Sequence, residues 1–262
     1  MSYLMESARE GHRLLAQEAQ NPSRQRVVDA GLRRSQRALD AGCGAGAVTG
    51  HLLELVGPEG HVTAFDASAE RVALAKQTLG ERPNLRLDVR ALPHTGLEPG
   101  RFDFVWSQFV FEYLPEPDVA LHELIRLARP GGTVAVAEID GYGLGLWPVT
   151  AELERGLTLF QRALERARFD LFVGRKLYTA FRRAGLRDVT VRLSPFHVTA
   201  GPADDAMLED WRVRFAALRP VALPAFGDAA AYERFTGEYL ATLSNPEALK
   251  YAVVLTTVGT RP

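Results

Sequence analysis

Residues 37–49 read RALDAGCGAGAVT, and no other stretch of the chain restricts its fold as much. A short apolar run, Ala38 and Leu39, ends in Asp40, and glycine then returns at 42, 44 and 46 before a helical pattern begins at Ala47. This succession predicts a strand, a tight turn and a helix N-terminus. Glycine allows positive φ and lets a ligand approach where a Cβ would block it, while the unpaired N–H groups of a first helical turn attract an anionic group. Gly42, Gly44 and Ala47 also satisfy the dinucleotide pattern G-x-G-x-x-G/A, so the glycine spacing alone leaves the ligand open.

The rest of the chain continues as alternating strands and helices. Val48, Leu52, Leu53 and Val56 form one helix face that Gly57-Pro58 stops. Residues 61–65 alternate toward a strand ending in Asp66, twenty residues after Gly46, where a carboxylate can accept from both hydroxyls of a ribose. Ser68 is placed to cap the next helix. A third strand, 84–89, contains Asp88 at its end, and RFDFVWSQF is apolar on both faces, as a buried parallel strand should be. A helix over 117–128 and the turn Arg-Pro-Gly-Gly lead into TVAVAEID. Glu138, Asp140 and Tyr142 then alternate at the strand's C-terminal end, where open α/β sheets bind ligands. GYGLGLWP reads as a glycine-broken loop carrying Tyr142 and Trp147. Helices are expected over 150–168 and 172–184, and strands over 188–193 and 250–258. The residues between those strands hold Trp211, Phe215, Phe226, Tyr232, Phe235 and Tyr239, too apolar a set for a plain loop.

The string LDAGCGAG resembles the first motif of the class I S-adenosylmethionine-dependent methyltransferases. LDVRALP resembles their third motif and RFDFVWSQF their fourth. LARPGG is similar to the Leu-Lys-Pro-Gly-Gly turn of relatives of the menaquinone and ubiquinone C-methyltransferases, and HRLLAQ to an Arg-Leu-x-x-Gln pattern in an N-terminal helix that closes over the cofactor. The resemblance implies S-adenosyl-L-methionine as cofactor, with S-adenosyl-L-homocysteine as product. It assigns Gly42, Cys43 and Gly44 to the cofactor loop, Asp66 and Ala67 to the ribose, Asp88 and Val89 to adenine, and Gln108 to the strand end facing the cofactor. Tyr3, Arg13 and Gln17 would face the methionine end. The segment FVFEYLPEP resembles one that often has histidine before Leu-Pro; here Glu112 and Tyr113 stand instead, so a histidine base does not carry over.

The fold expected is α/β: a Rossmann-like, doubly wound, mostly parallel seven-stranded sheet with an antiparallel last strand and a helical cap. Residues 1–34 would be N-terminal helices over the cofactor, 35–197 with 249–262 the core, 150–185 helices flanking the pocket, and 198–248 an inserted helical substrate cap. The catalytic candidates are Glu112, Asp140 and Tyr142, with Tyr113 to orient an acceptor and His197 more distant. A formal net charge of -1 argues against a nucleic-acid or membrane partner and for a small acceptor, and the aromatic content of the inserted segment fits a lid over an aromatic or lipophilic one, in a monomer or homodimer. One cysteine, Cys43, and a start without a signal-like apolar run point to the cytoplasm. Six scattered histidines give no metal-ligand spacing. The competing readings are an NAD(P)-dependent oxidoreductase, which would use the same glycine loop, and a cofactor-binding protein without methyl transfer.

Overall fold

The computed structural model describes residues 23–262. A short helix, α1 (Arg24–Asp29), precedes β1 (Arg37–Ala41), α2 (Ala47–Val56), β2 (His61–Asp66), α3 (Ala69–Leu79), β3 (Leu85–Val89) and β4 (Phe102–Gln108). A 3₁₀ turn at Phe111–Tyr113 leads to α4 (Pro117–Leu127) and β5 (Ala128–Trp147). Then come α5 (Ala151–Arg166), α6 (Val173–Arg183), β6 (Arg187–Ala200), α7 (Asp205–Phe226), α8 (Ala229–Leu243) and β7 (Leu249–Thr260). The strands form one seven-stranded sheet in the order β3-β2-β1-β4-β5-β7-β6. β7 runs antiparallel to both neighbours, whereas β1 to β5 pair in parallel. This is the Rossmann-like order, reversing direction of winding between β1 and β4.

Strand alternation divides the core between two faces. Leu39, Val105, Val134 and Val136 pack against Leu121, Leu124 and Leu127 of α4 and Leu177 and Phe181 of α6. Ala38, Phe104, Trp106, Ala135 and Ala137 face the other way, onto Val27 of α1 and Leu52, Leu53 and Val56 of α2. Because both faces are covered, the parallel strands read as nearly continuous apolar runs.

A third cluster lies outside the sheet. Phe160 of α5, Trp211, Phe215 and Leu218 of α7, and Tyr232, Phe235 and Tyr239 of α8 bury one another. Each of these helices begins with a side-chain cap: Thr150 accepts from Leu153 N, Asp204 from Met207 N and Asp228 from Ala231 N, at 2.7–3.0 Å. The capping oxygens satisfy one otherwise orphaned donor per helix.

Four sequence expectations change. GYGLGLWP is not a loop: β5 continues through it to Trp147, with a register shift between Asp140 and Gly145, and then pairs again with Tyr251, Lys250 and Leu249. Gly141 and Gly143, at φ 69° and 80°, absorb the irregularity without breaking the strand. The Arg-Pro-Gly-Gly turn is likewise taken into β5, as a register shift opposite Phe102 and Phe104 of β4. β6 extends to Ala200, so the expected boundary at 198 falls inside a strand. Finally, the helices expected over 150–185 do not act together: α5 joins the aromatic cluster and α6 packs on the sheet, each following its own apolar stripe.

Candidate functional site

The C-terminal ends of β1 to β5 converge on one edge of the sheet, and the glycine loop lies there. Gly42 and Cys43 both donate to Phe65 O, at 2.8 and 2.9 Å, which folds the loop over the end of β2. Gly42, Gly44 and Gly46 all have positive φ. A Cβ on Gly42 would lie 2.4 Å from Val110 Cγ2, and one on Gly46 would lie 3.0 Å from Ala75 Cβ and Leu79 Cδ1, so packing requires these glycines as well. Asp40 is buried behind the loop and accepts from Thr49 Oγ1 at 2.7 Å. Cys43 is buried, and burial, reinforced by Asp40 and Asp66, pushes its thiol well above the usual range. Its side chain is therefore a protonated packing group, and its backbone is the part available to a ligand.

Asp66 ends β2 with its carboxylate held from two sides. Oδ2 accepts from Gly44 N and Oδ1 from Ser68 N, both at 2.9 Å, and Arg71 Nη1 lies 3.9 Å from Oδ1. A carboxylate has about four acceptor positions, so each oxygen keeps capacity for a hydroxyl donor. Ala67 beside it is exposed. One strand over, Asp88 takes Arg86 Nε at 2.9 Å and Arg90 Nε at 3.0 Å, both on Oδ2. Oδ1 has no partner among the described residues and can accept an amino group. Val89 next to it is 55% exposed, an apolar surface for a flat ring.

At the end of β4, Ser107 Oγ donates to Ala41 O at 2.9 Å and ties β4 to the glycine loop. Gln108 Nε2 donates to Ser23 Oγ at 2.7 Å, and its Oε1 is buried without a hydrogen bond among the described residues. Such an acceptor has a cost unless something donates to it. Asp103 lies at the other end of β4, accepting from Arg37 N at 2.8 Å and paired with Arg129; burial opposes its ionisation, but these donors prevail and hold its pKa below the usual value. It fastens strands and stands far from the site edge.

The catalytic candidates occupy unlike surroundings. Glu112 is buried in the 3₁₀ turn, and its carbonyl accepts from Asp170 N at 2.9 Å. Beside it lies Glu138, which the sequence placed on the strand without a role. Its Oε1 accepts from Val110 N at 2.9 Å and Phe111 N at 2.7 Å, and its Oε2 has no hydrogen-bond partner among the described residues. Burial, and then the charge of Glu112, push the Glu138 carboxyl well above the usual range. Asp140 is clamped by Arg175 through Nε at 2.8 Å and Nη2 at 2.7 Å. Tyr142 stacks on Trp211 at 5.3 Å and meets Phe196 and His197 at 6.1 and 5.9 Å. His197, at φ 48°, sits in the register shift of β6 between Phe196 and Thr199; this bulge brings it closer than sequence distance suggested. Tyr113 packs on Phe169 at 4.8 Å. Tyr3, Arg13 and Gln17 lie outside the described residues.

Sequence reasoning also missed Arg214, Asp210 and Lys250. Arg214 lies 4.8 Å over the Tyr142 ring and pairs with Asp210 at 2.7 Å. The aromatic spacing of α7 identified this segment, but nothing in the pattern marked the arginine. Among the described residues no group of three or more His, Cys, Asp or Glu could hold a metal ion, and no helix is long and apolar enough to cross a membrane. A hollow lined by Arg37, His61, Asn84 and Arg86 lies at the opposite edge of the sheet, away from the strand ends that bind ligands in such folds.

Comparison with known proteins agrees with this geometry. Residues 39–136 match the family model described as Methyltransferase domain. A demethylmenaquinone methyltransferase of Staphylococcus aureus is 37% identical over 119 residues, 44% of this chain and 48% of the relative, so the match spans about half the length of that protein. Among solved structures, a candidate methyltransferase from Bacillus halodurans superposes with a TM-score of 0.57 at 14% identity, over 91% of this chain and 97% of that one. A Haemonchus contortus phosphoethanolamine N-methyltransferase, in complex with phosphomonomethylethanolamine and S-adenosylhomocysteine, gives 0.57 at 15% identity, over 92% of this chain and 52% of that one. Residues 39–136 are thus similar to a methyltransferase domain, over less than half of this chain, and the 119-residue likeness to a demethylmenaquinone methyltransferase agrees with it.

Proposed function

We propose that this protein transfers a methyl group from S-adenosyl-L-methionine to a small acceptor held beneath the α5, α7 and α8 helices. The observation that carries the reading is Asp66: a buried carboxylate at the tip of β2, fixed by Gly44 N and Ser68 N with an acceptor position left on each oxygen. That arrangement suits the two hydroxyls of a ribose. Asp88 Oδ1 suits the adenine amino group, exposed Val89 the ring, and Gln108 Oε1 a donor on the ligand.

Bound there, S-adenosyl-L-methionine supplies a sulfonium methyl already activated for in-line displacement. The protein then has to hold the acceptor's lone pair about 3–3.5 Å from the reacting carbon, exclude water and, for a hydroxyl or carbon acid, take a proton. Glu112 is the base this reading favours. It shares its buried surroundings with Glu138, and two carboxyls so placed hold one proton between them more readily than none. Asp140, bidentate to Arg175, serves better as a fixed charge than as a proton acceptor. Tyr142 and Trp211 provide a flat wall for an aromatic or lipophilic body.

Asp66→Ala should weaken S-adenosylhomocysteine binding by at least 30-fold; unchanged affinity overturns the ribose assignment. Glu112→Gln should cost about 10²-fold or more in turnover, the range of general base catalysis, while Asp140→Asn costs less than tenfold. Full turnover in both variants would remove the carboxylates from the chemistry.

A further inference from the structure

The helical cap contains a charge that an apolar acceptor pocket does not need. Arg214 belongs to α7, and only 12% of its side chain is exposed. Its Nε donates to Asp210 Oδ2 at 2.7 Å, and its guanidinium lies 4.8 Å from the Tyr142 ring centroid and 5.9 Å from that of Trp211. The terminal nitrogens donate to nothing among the described residues, yet they are not sealed from solvent. The charge of Asp210 also acts on a second cation, Lys250 of β7, which is 6% exposed and whose Nζ, among the described residues, meets only the Met207 sulfur. The other groups acting on this cluster are the Tyr142, Tyr113 and Tyr239 hydroxyls and Asp204, the last exposed at the start of α7. Two largely buried cations therefore lie near one half-buried carboxylate, which among the described residues is within ion-pair distance of Arg214 alone. Burying unbalanced charge is expensive unless a counter-ion arrives.

We infer that Arg214, resting on the Tyr142 and Trp211 rings, is the recognition point for a carboxylate on a planar, aromatic acceptor. A guanidinium with its Nε edge taken by Asp210 still presents two parallel terminal donors, the geometry that a carboxylate accepts bidentately. Tyr142 brings the arginine to the sheet edge, since it follows Asp140 at the same strand end. The acceptor is thus an aromatic acid rather than a neutral lipophile. The inference rests on the proposed methyl-transfer site but can fail separately from it.

The test is calorimetric titration of the full chain, first with S-adenosylhomocysteine and then, in its presence, with benzoate, 2-naphthoate and indole-3-carboxylate and with the matching uncharged amides. At least one acid should bind tenfold or more tightly than its amide. Arg214→Met should abolish that preference while changing S-adenosylhomocysteine affinity less than twofold, Arg214→Lys should keep part of it, and Asp210→Asn, which removes the competing carboxylate, should increase it. If no acid binds more tightly than its amide, or if Arg214→Met keeps the preference, the inference is wrong. If S-adenosylhomocysteine itself does not bind, the cofactor reading fails, and the acid–amide contrast, measured without it, still decides for or against the anion site.

Discussion

Single residues at this site are held in ionisation states that a spacing pattern does not show. Lys250 is the sharpest case: burial lowers its pKa to about 8 from 10.5, with Asp210 and Asp204 opposing the shift. A lysine whose folded pKa lies below its unfolded value costs stability while charged in the fold, fully so below pH 8, and the cost fades as pH rises toward 10.5. Lys250→Met should therefore be more stable than the natural protein at pH 7, and the gap should close by roughly 2–4 kcal/mol by pH 10.5. A gap that does not change in denaturant titrations at the two pH values contradicts the buried assignment. Glu138 makes the complementary case. Its Gln variant keeps an acceptor for Val110 N and Phe111 N and should unfold within about 1 kcal/mol of the natural protein, whereas Glu138→Leu orphans both donors and should lose roughly 2–5 kcal/mol. The places of the glycine loop, Asp66 and Asp88 at the ends of β1, β2 and β3 were legible because each follows or closes a short apolar strand run that local pattern marks. Arg214, Lys250 and Glu138 were not, because Tyr142, Met207 and Val110, which they meet, belong to other elements far along the chain.

At the scale of elements, the sequence was clear wherever the apolar period was simple and misleading wherever glycine was. The helices α2, α3, α4 and α6 fall within a residue or two of their expected ends, since capping and stop signals are local. β5 ran past expectation because two glycines permitted a bulge where they suggested a break. Gly156 shows the opposite trap. In an ordinary helix, glycine to alanine gains about 1 kcal/mol of propensity, but a Cβ here would lie 2.3 Å from Phe235 Cδ2, a ring buried against Phe160, Phe215 and Phe226. Overpacking costs about 1–3 kcal/mol. Gly156→Ala should thus be net destabilising in urea titration; a stabilised variant would mean that α5 and α8 do not pack as described.

The whole molecule combines a general sheet with a particular cover. Strand order, the parallel run and the reversed β7 follow from alternating apolar segments and the rules of connection in doubly wound folds. The cover on α5, α7 and α8 could be anticipated as apolar and helical, but its docking depends on long-range contacts between aromatic rings that no local pattern specifies. A glycine loop and a carboxylate at the tip of β2 are common to dinucleotide and sulfonium cofactors, so the decisive difference lies in what fills the site edge as a whole. Calorimetric titration with S-adenosylhomocysteine and, in parallel, with NADP addresses this directly. The account predicts saturable binding of S-adenosylhomocysteine, lost in Asp66→Ala, and no heat from NADP. Binding of NADP alone would contradict it and assign the loop to a pyrophosphate.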